Sequence, residues 1–75
     1  MQRIPIPFEH KGISYQGVLI NIAGAGNTGS VFHLMINNFY KGTLMYTNTW
    51  VFHSNNGMFN DMADEFGYFV MAWYG

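Results

Sequence analysis

Residues 50–73, WVFHSNNGMFNDMADEFGYFVMAW, decide the fold because the spacing of apolar residues changes within them. Before Ser54, apolar and β-branched residues follow one another as they do in strands. After Gly57, apolar residues recur every three or four positions, which is the spacing of one helix face. The stretch therefore predicts a strand at 50–53 and a helix at 58–73. The predicted helix face consists of Phe59, Met62, Ala63, Phe66, Phe69, Val70 and Trp73.

Proline and β-branched residues define the strands upstream. Pro5 and Pro7 alternate within residues 4–10. Because proline cannot donate to a sheet ladder, we predict an edge strand or an extended arm there. The next segments are rich in β-branched and aromatic residues, as strands are. They lie at 13–22, 31–37 and 43–47.

Turn-forming residues separate these segments by short distances. Glycine and asparagine favour turns because they tolerate positive φ angles. Connections this short favour strands that pair antiparallel with their neighbours in the chain. We place turns at Lys11-Gly12, around Phe39 and Tyr40 between Asn37-Asn38 and Lys41-Gly42, and at Asn48-Thr49, with a glycine-rich loop at 23–30.

The whole pattern predicts an α+β fold, a four- to five-stranded antiparallel meander with one C-terminal helix packed on it. A chain of 75 residues without a linker is a single domain, residues 1–75. Gly17 interrupts the second strand, where it marks a bulge or a close backbone crossing. Gly67 costs the helix about 1 kcal/mol relative to alanine. We expect Gly67 to let the helix axis approach the sheet.

Composition predicts that part of the surface is hidden. Hydrophobic residues make up 49% of the chain and charged residues only 9%, against about 25% charged in ordinary globular domains. One helix covers one face of a sheet, so the other face is expected to alternate to polar residues. Here neither face alternates cleanly to polar residues. The opposed sets are Ile13, Tyr15 and Leu19 against Val18, Ile20 and Ile22; Phe32, Leu34 and Ile36 against Val31, His33 and Met35; and Trp50 and Phe52 against Val51 and His53.

This excess of apolar surface predicts a homo-oligomer, most simply a two-fold dimer that buries the second face or an edge strand. The alternative is a monomer whose second face is covered by the N-terminal arm and the long loops. Charge is also uneven, because residues 57–75 carry three acids and no base.

Charge and cysteine content exclude several classes of protein. Three basic and four acidic residues give a net charge of −1, which excludes a general basic nucleic-acid binder. The absence of cysteine excludes disulfide frameworks and thiolate metal sites. The longest apolar stretch, 66–74, is far shorter than the roughly 20 residues of a membrane-spanning helix, and residues 1–12 lack a signal-peptide core. We expect a cytoplasmic protein without membrane or nucleic-acid partners.

Residues 24–29, GAGNTG, match the glycine spacing of a dinucleotide-binding loop without its context. That loop precedes a helix whose N-terminus faces the pyrophosphate, and an acid follows about 20 residues later. Here Ser30 begins a strand-like segment, and the next acid is Asp61. We interpret the stretch as a hairpin loop and expect no cofactor.

The titratable residues form no catalytic or metal-binding motif. Zinc needs three or four converging ligands. No such spacing joins the histidines, although His33 and His53 come close if their strands are neighbours, and no cysteine nucleophile is present. We therefore expect neither an enzyme nor a bound metal. Three acids fall on a helix face that we expect to be solvated: Asp61, Asp64 and Glu65.

Aromatic residues make up 19% of the chain and carry the strongest remaining signal. Because aromatic side chains are enriched in the cores of protein interfaces, we single out Tyr40, Tyr46 and Trp50 as partner-facing. The sequence thus predicts a small interaction module without catalytic activity that binds itself and a protein partner. The alternative is a binder of small molecules or peptides, with an aromatic-lined pocket between helix and sheet near Trp50 and Trp73.

Overall fold

The computed structural model describes residues 2–75, which form one sheet and one helical segment. Each strand pairs antiparallel with its neighbour in the chain, so the order in the sheet is the order in the sequence. A 3-10 turn at Asn60–Met62 leads into helix α1 at Ala63–Tyr74. The predicted α+β meander with one C-terminal helix is confirmed. The strands are β1 Arg3–His10, β2 Ile13–Ala23, β3 Ser30–Ile36, β4 Phe39–Tyr46 and β5 Trp50–His53.

Strand β4 begins earlier than the predicted start at 43, because the chain reverses within two residues. Asn37 and Asn38 both have positive φ angles, 54° and 67°, as a type I′ hairpin turn requires. Ile36 consequently pairs with Phe39, and the turn predicted around Phe39 is wrong. The Lys41-Gly42 pair coincides instead with a register shift between β3 and β4.

The other two hairpin turns are close to their predicted positions. Lys11 and Gly12 have φ angles of 52° and 80°, and His10 pairs with Ile13, so this turn also has the type I′ signature. Tyr46 pairs with Trp50, which leaves a connection of three residues, 47–49, in place of the predicted two.

The helical segment begins later than the predicted start at 58. Phe59 has a φ of 70°, in the left-handed region, and an α-helix of L-residues cannot include this conformation. The 3-10 turn follows, and α-helical geometry begins at Ala63. The strained residue is held in place by burial, since Phe59 is 1% exposed.

The covered face, which is the face of the sheet on which α1 packs, carries the hydrophobic core. Buried and exposed residues alternate along β1, and buried and half-buried residues alternate along β3. The Phe66 ring contacts the rings of Phe8 and Phe52, with centroids 4.9 and 5.3 Å apart. The core comprises Ile4, Ile6, Phe8, Leu19, Phe32, Leu34, Ile36, Leu44, Phe52, Phe59, Met62, Phe66 and Val70.

Gly67 brings α1 into direct contact with the sheet. A Cβ atom placed on Gly67 would lie 2.4 Å from Cγ of Trp50, closer than real Cβ atoms come to other carbons. The indole ring therefore occupies the space that a side chain at position 67 would need. The predicted role of Gly67 in the approach of helix to sheet is confirmed.

Gly17 lies neither at the predicted bulge nor at a close backbone crossing, which was the alternative. It pairs regularly with Ile6 and Ile36, and the shift in the β2–β3 register lies further on, between Asn21 and Ala23. A Cβ atom at Gly17 would lie 3.1 Å from carbons of Leu34 and Phe8. The glycine thus makes room for large core side chains on the neighbouring strands.

Candidate functional site

The open face, which is the face of the sheet opposite α1, carries an apolar surface on β2 to β5. No other element within residues 2–75 packs on it, and the N-terminal segment does not cover it because Arg3–His10 is a strand of the sheet itself. Uncovered apolar surface of this kind is typical of interaction sites. Six half-buried side chains form what we term the open-face patch: Val18, Ile20, Val31, Met35, Met45 and Val51.

The open-face patch consists of two groups of directly paired side chains, with Ile20, which pairs with His33, between them on β2. Val18 pairs with Met35 across β2 and β3. Val31 pairs with Met45 across β3 and β4, and Met45 pairs with Val51 across β4 and β5. Directly paired side chains on one sheet face contact each other, so each group is apolar throughout, and together the two groups extend over β2 to β5.

A polar row crosses the middle of the open face. Thr43 pairs with His33 on one side and with His53 on the other. The Tyr40 hydroxyl lies 2.5 Å from Oγ1 of Thr43, and the Tyr40 and His33 ring centroids are 5.0 Å apart. β4 separates the two histidines, and residues 2–75 contain no group of three or more His, Cys, Asp or Glu placed to hold a metal. The row therefore offers hydrogen-bonding groups within an apolar surface.

The four aromatic residues selected from the sequence do not form one site. Tyr40 lies on the open face and is 52% exposed. Tyr46 and Trp50 lie on the covered face, with ring centroids 4.7 Å apart. Trp73, near the end of α1, is 45% exposed. A pocket between helix and sheet was predicted near Trp50 and Trp73. In this region the helix and the sheet are in direct contact, at Gly67 and Trp50.

A groove of about 530 Å³ lies at the end of the sheet where the first hairpin turn meets the loop after β5. Its apolar lining comes from Ile13, Tyr15, Met58 and Phe59. Two smaller cavities, of about 220 and 240 Å³, share Met58 and Phe59 with it. The sequence did not predict this groove, because its two sides are more than 40 positions apart in the chain.

A contact between an imidazole and a carboxylate joins the two sides of the groove. Nε2 of His10 lies 3.0 and 3.2 Å from the two carboxylate oxygens of Asp61. His10 is only 9% exposed, whereas Asp61 is 69% exposed. The imidazole also lies edge-on to the Phe59 ring, with centroids 5.0 Å apart. This contact ties the 3-10 turn to β1, and no local spacing in the sequence could have revealed it.

The glycine-rich loop at residues 24–29 lies at the opposite end of the sheet and leads into β3, not into a helix. The N–H of Gly29 donates to the carbonyl of Tyr46 at 2.7 Å. Gly26 packs on the Tyr74 ring, since a Cβ atom there would lie 2.9 Å from Cδ2 of Tyr74. The loop thus contacts the C-terminal end of α1 and lacks the helix N-terminus that binds a pyrophosphate.

Comparison with known proteins assigns no family: no protein-family model, no curated protein and no solved structure matches the chain. Among the described residues 2–75, no helix combines the length and the apolar character needed to cross a membrane. The functional argument therefore rests on the open face and on the groove.

Proposed function

We propose that the protein is a non-catalytic module that self-associates through its open face as a two-fold dimer. The observation that carries this proposal is the open-face patch, six apolar side chains from four adjacent strands with no covering element. Contact between two such faces removes apolar surface from water, which stabilises the complex by roughly 25 cal/mol per Å². An identical patch on each subunit is what a two-fold contact requires.

The edges of the sheet favour a contact between faces over edge-to-edge strand pairing. The N–H of Asn21 donates to the carbonyl of Gln2 at 2.9 Å, which places the even-numbered residues of β1 in the ladder with β2. The backbone nitrogens of Pro5 and Pro7 therefore point towards the free edge, where they cannot donate. The opposite edge strand, β5, has only four residues. Short or proline-containing edges resist pairing with another chain.

The outer side of α1 is a less suitable contact, although Tyr68 and Met71 are 70% and 60% exposed there. Asp64 and Glu65 lie in the first turn of the helix, and no basic residue lies in its last turn. In a two-fold helix contact, these acids would face either each other or the negative end of the partner helix dipole. Both arrangements are unfavourable.

Charge and size are compatible with the proposed dimer. Arg3 and Glu9 lie on the open-face side at the two ends of β1. In this dimer the two-fold axis lies between the two open faces and runs perpendicular to the strands. The two β1 strands are then antiparallel across the interface, so that Arg3 faces Glu9 of the partner subunit. The molecule measures 30 × 20 × 19 Å, so one sheet face of it can form only a contact at the small end of specific interfaces, which is about 1,200 Å² in total. We therefore expect micromolar association.

The absence of catalysis in this proposal is supported by the environment of the one His-Asp pair. In a nucleophilic triad, the imidazole uses one nitrogen for the carboxylate and the other for a hydroxyl or thiol of the protein. Nε2 of His10 already contacts Asp61, and the chain contains no cysteine. The pair therefore fits a structural contact between strand and helical segment.

Sedimentation equilibrium over a concentration series tests the dimer. We expect the mass to rise from 8.6 kDa towards twice that value. Met45→Lys places a charge in the open-face patch and is expected to keep the protein monomeric. Met71→Lys is the matched control, because it makes the same change on the exposed side of α1 and should leave dimerisation intact.

The result is decisive in either direction. A wild-type mass of one chain throughout the micromolar range would disprove the proposal, and so would dissociation caused by Met71→Lys with Met45→Lys still dimeric. If Met45→Lys fails to fold, the double variant Val31→Thr/Met45→Thr replaces it. Threonine favours strands, and its hydroxyl makes the open-face patch more polar. That variant is likewise expected to be monomeric.

A further inference from the structure

The groove between the first hairpin turn and the loop after β5 has the features of a ligand site that is independent of the open face. Its apolar lining remains accessible, since Ile13 is 56% and Met58 is 39% exposed. The ring of Tyr15 stacks on Phe8 at 5.2 Å and meets Phe59 edge-on at 5.1 Å. Rings fixed in this way provide a rigid surface for an apolar or aromatic ligand.

The loop that forms one wall is held in a defined conformation. The hydroxyl of Ser54 donates to the carbonyl of Met58 at 2.8 Å, and the Met58 N–H donates to Oδ1 of Asn56 at 3.0 Å. Phe59 follows with its left-handed φ of 70°. Strained residues persist only where their surroundings hold them, and they are frequent at ligand sites. The wall is therefore preorganised, so that binding does not need to order it.

The polar lining offers more hydrogen-bond donors than acceptors. The backbone N–H of Met58 needs an acceptor, so the Asn56 amide is oriented with Oδ1 towards the loop. The Nδ2 group of Asn56 is then left to donate to another partner. Lys11 contributes an ammonium group from the rigid turn, and no ion pair within residues 2–75 involves it. The acid of the groove, Asp61, already has both carboxylate oxygens close to His10.

We propose that this groove binds a small amphipathic carboxylate, with an aromatic or branched aliphatic body against Ile13, Tyr15 and Met58 and its carboxylate between Lys11 and Asn56. A volume of about 530 Å³ accommodates a molecule of this size. The ligand class follows from the pairing of a rigid apolar lining with a donor amide and a cation. A primary amine would have to share the Asp61 carboxylate with His10, whose Nε2 already lies 3.0 and 3.2 Å from its two oxygens.

Titration of the ¹⁵N-labelled protein with 3-phenylpropionate, followed by NMR, tests the site. We expect saturable shifts confined to the backbone amides of residues 10–15 and 54–61. The uncharged probe 3-phenylpropionamide should bind about fivefold more weakly, which is the effect of one solvent-exposed ion pair. The cationic probe 2-phenylethylamine should bind more weakly still.

Two variants of basic residues test whether Lys11 supplies the positive charge that recognises the carboxylate. Lys11→Asn keeps a residue that tolerates the positive φ of the turn and should abolish the preference for carboxylate over amide. The comparison change Arg3→Gln, at the opposite end of β1 from the groove, should leave the preference intact. Equal affinity for the three probes, tighter binding of the amine, or shifts spread over the open-face patch would each overturn the proposal. Its outcome is separate from that of the dimer, because sedimentation with and without 3-phenylpropionate should give the same mass.

Discussion

Leu34 and Met35 are neighbours in β3, and they show how differently the two faces of this sheet are used. Leu34 lies on the covered face and is fully buried, whereas Met35 lies on the open face and is half-buried with no helix above it. Both side chains are large and apolar. The covered face therefore supplies the stability of the single chain, and the open face retains an apolar surface whose burial requires another molecule.

The largest expected effect on stability distinguishes Leu34 from Met35. Leu34→Ala removes a fully buried side chain and should lower the free energy of unfolding by about 2–5 kcal/mol, since it leaves a cavity in the core. Met35→Ala should cost about 1 kcal/mol or less when measured in the monomer, because only partly buried surface is lost. Urea denaturation of both variants at a concentration below dimerisation provides the comparison. Equal losses would show that the open face is packed as tightly as the core.

The next effect tests how closely the covered face fits its helix. Gly67→Ala gains about 1 kcal/mol of helix propensity but places a Cβ atom 2.4 Å from Trp50. Overpacking costs about 1–3 kcal/mol, so we expect net destabilisation. In a Trp50→Leu background the same change should become neutral or stabilising. Thermal denaturation of the four proteins measures this coupling, and additive effects of the two changes would argue against the contact.

A smaller effect is expected at the polar margin of the covered face. Asp61→Ala removes the contact with His10 and should cost about 1 kcal/mol, the usual contribution of a hydrogen bond. Asp64→Ala is the control, since Asp64 is an exposed acid three positions later with no hydrogen bond to His10. The difference between the two variants in chemical denaturation reports the contact. It should disappear when both changes are made in a His10→Ala background.

The smallest effect concerns the turn that sets which residues of β3 and β4 share a face. A register slip of one residue exchanges the two faces of a strand, so the turn at Asn37 and Asn38 protects the distinction between them. Asn38 has a φ of 67°, and glycine adopts this conformation more easily. Asn38→Gly should therefore raise the free energy of unfolding by about 0.5 kcal/mol. Destabilisation measured by urea titration would contradict the positive φ at this position.

Much of the fold could be predicted because its signals are local. The alternation in β3 and the helical spacing after Gly57 both depend on neighbouring residues, and the expected approach of helix to sheet at Gly67 rests on the missing side chain of glycine. Errors arose where two local signals competed. The pair Lys41-Gly42 resembles a turn, but Asn37-Asn38 had already reversed the chain.

The candidate sites were less accessible from the sequence for a physical reason. Much of the open-face patch follows from strand alternation, which puts Val18 and Ile20 on one face of β2, and Val31 and Met35 on one face of β3. The groove depends on contacts such as His10 with Asp61, 51 positions apart, and spacing carries no information about such a pair. Tyr46 and Trp50 were selected for their residue type, and their register places both on the covered face.

The sequence by itself determined the order of the elements, the single helix and the shortage of charge, because periodicity, turn residues and composition are properties of the chain. Only the tertiary structure decided which apolar residues the helix covers and which ones remain uncovered. Strand pairing brings residues from distant segments into one surface, and a single helix of 12 residues can shield only one side of a five-stranded sheet.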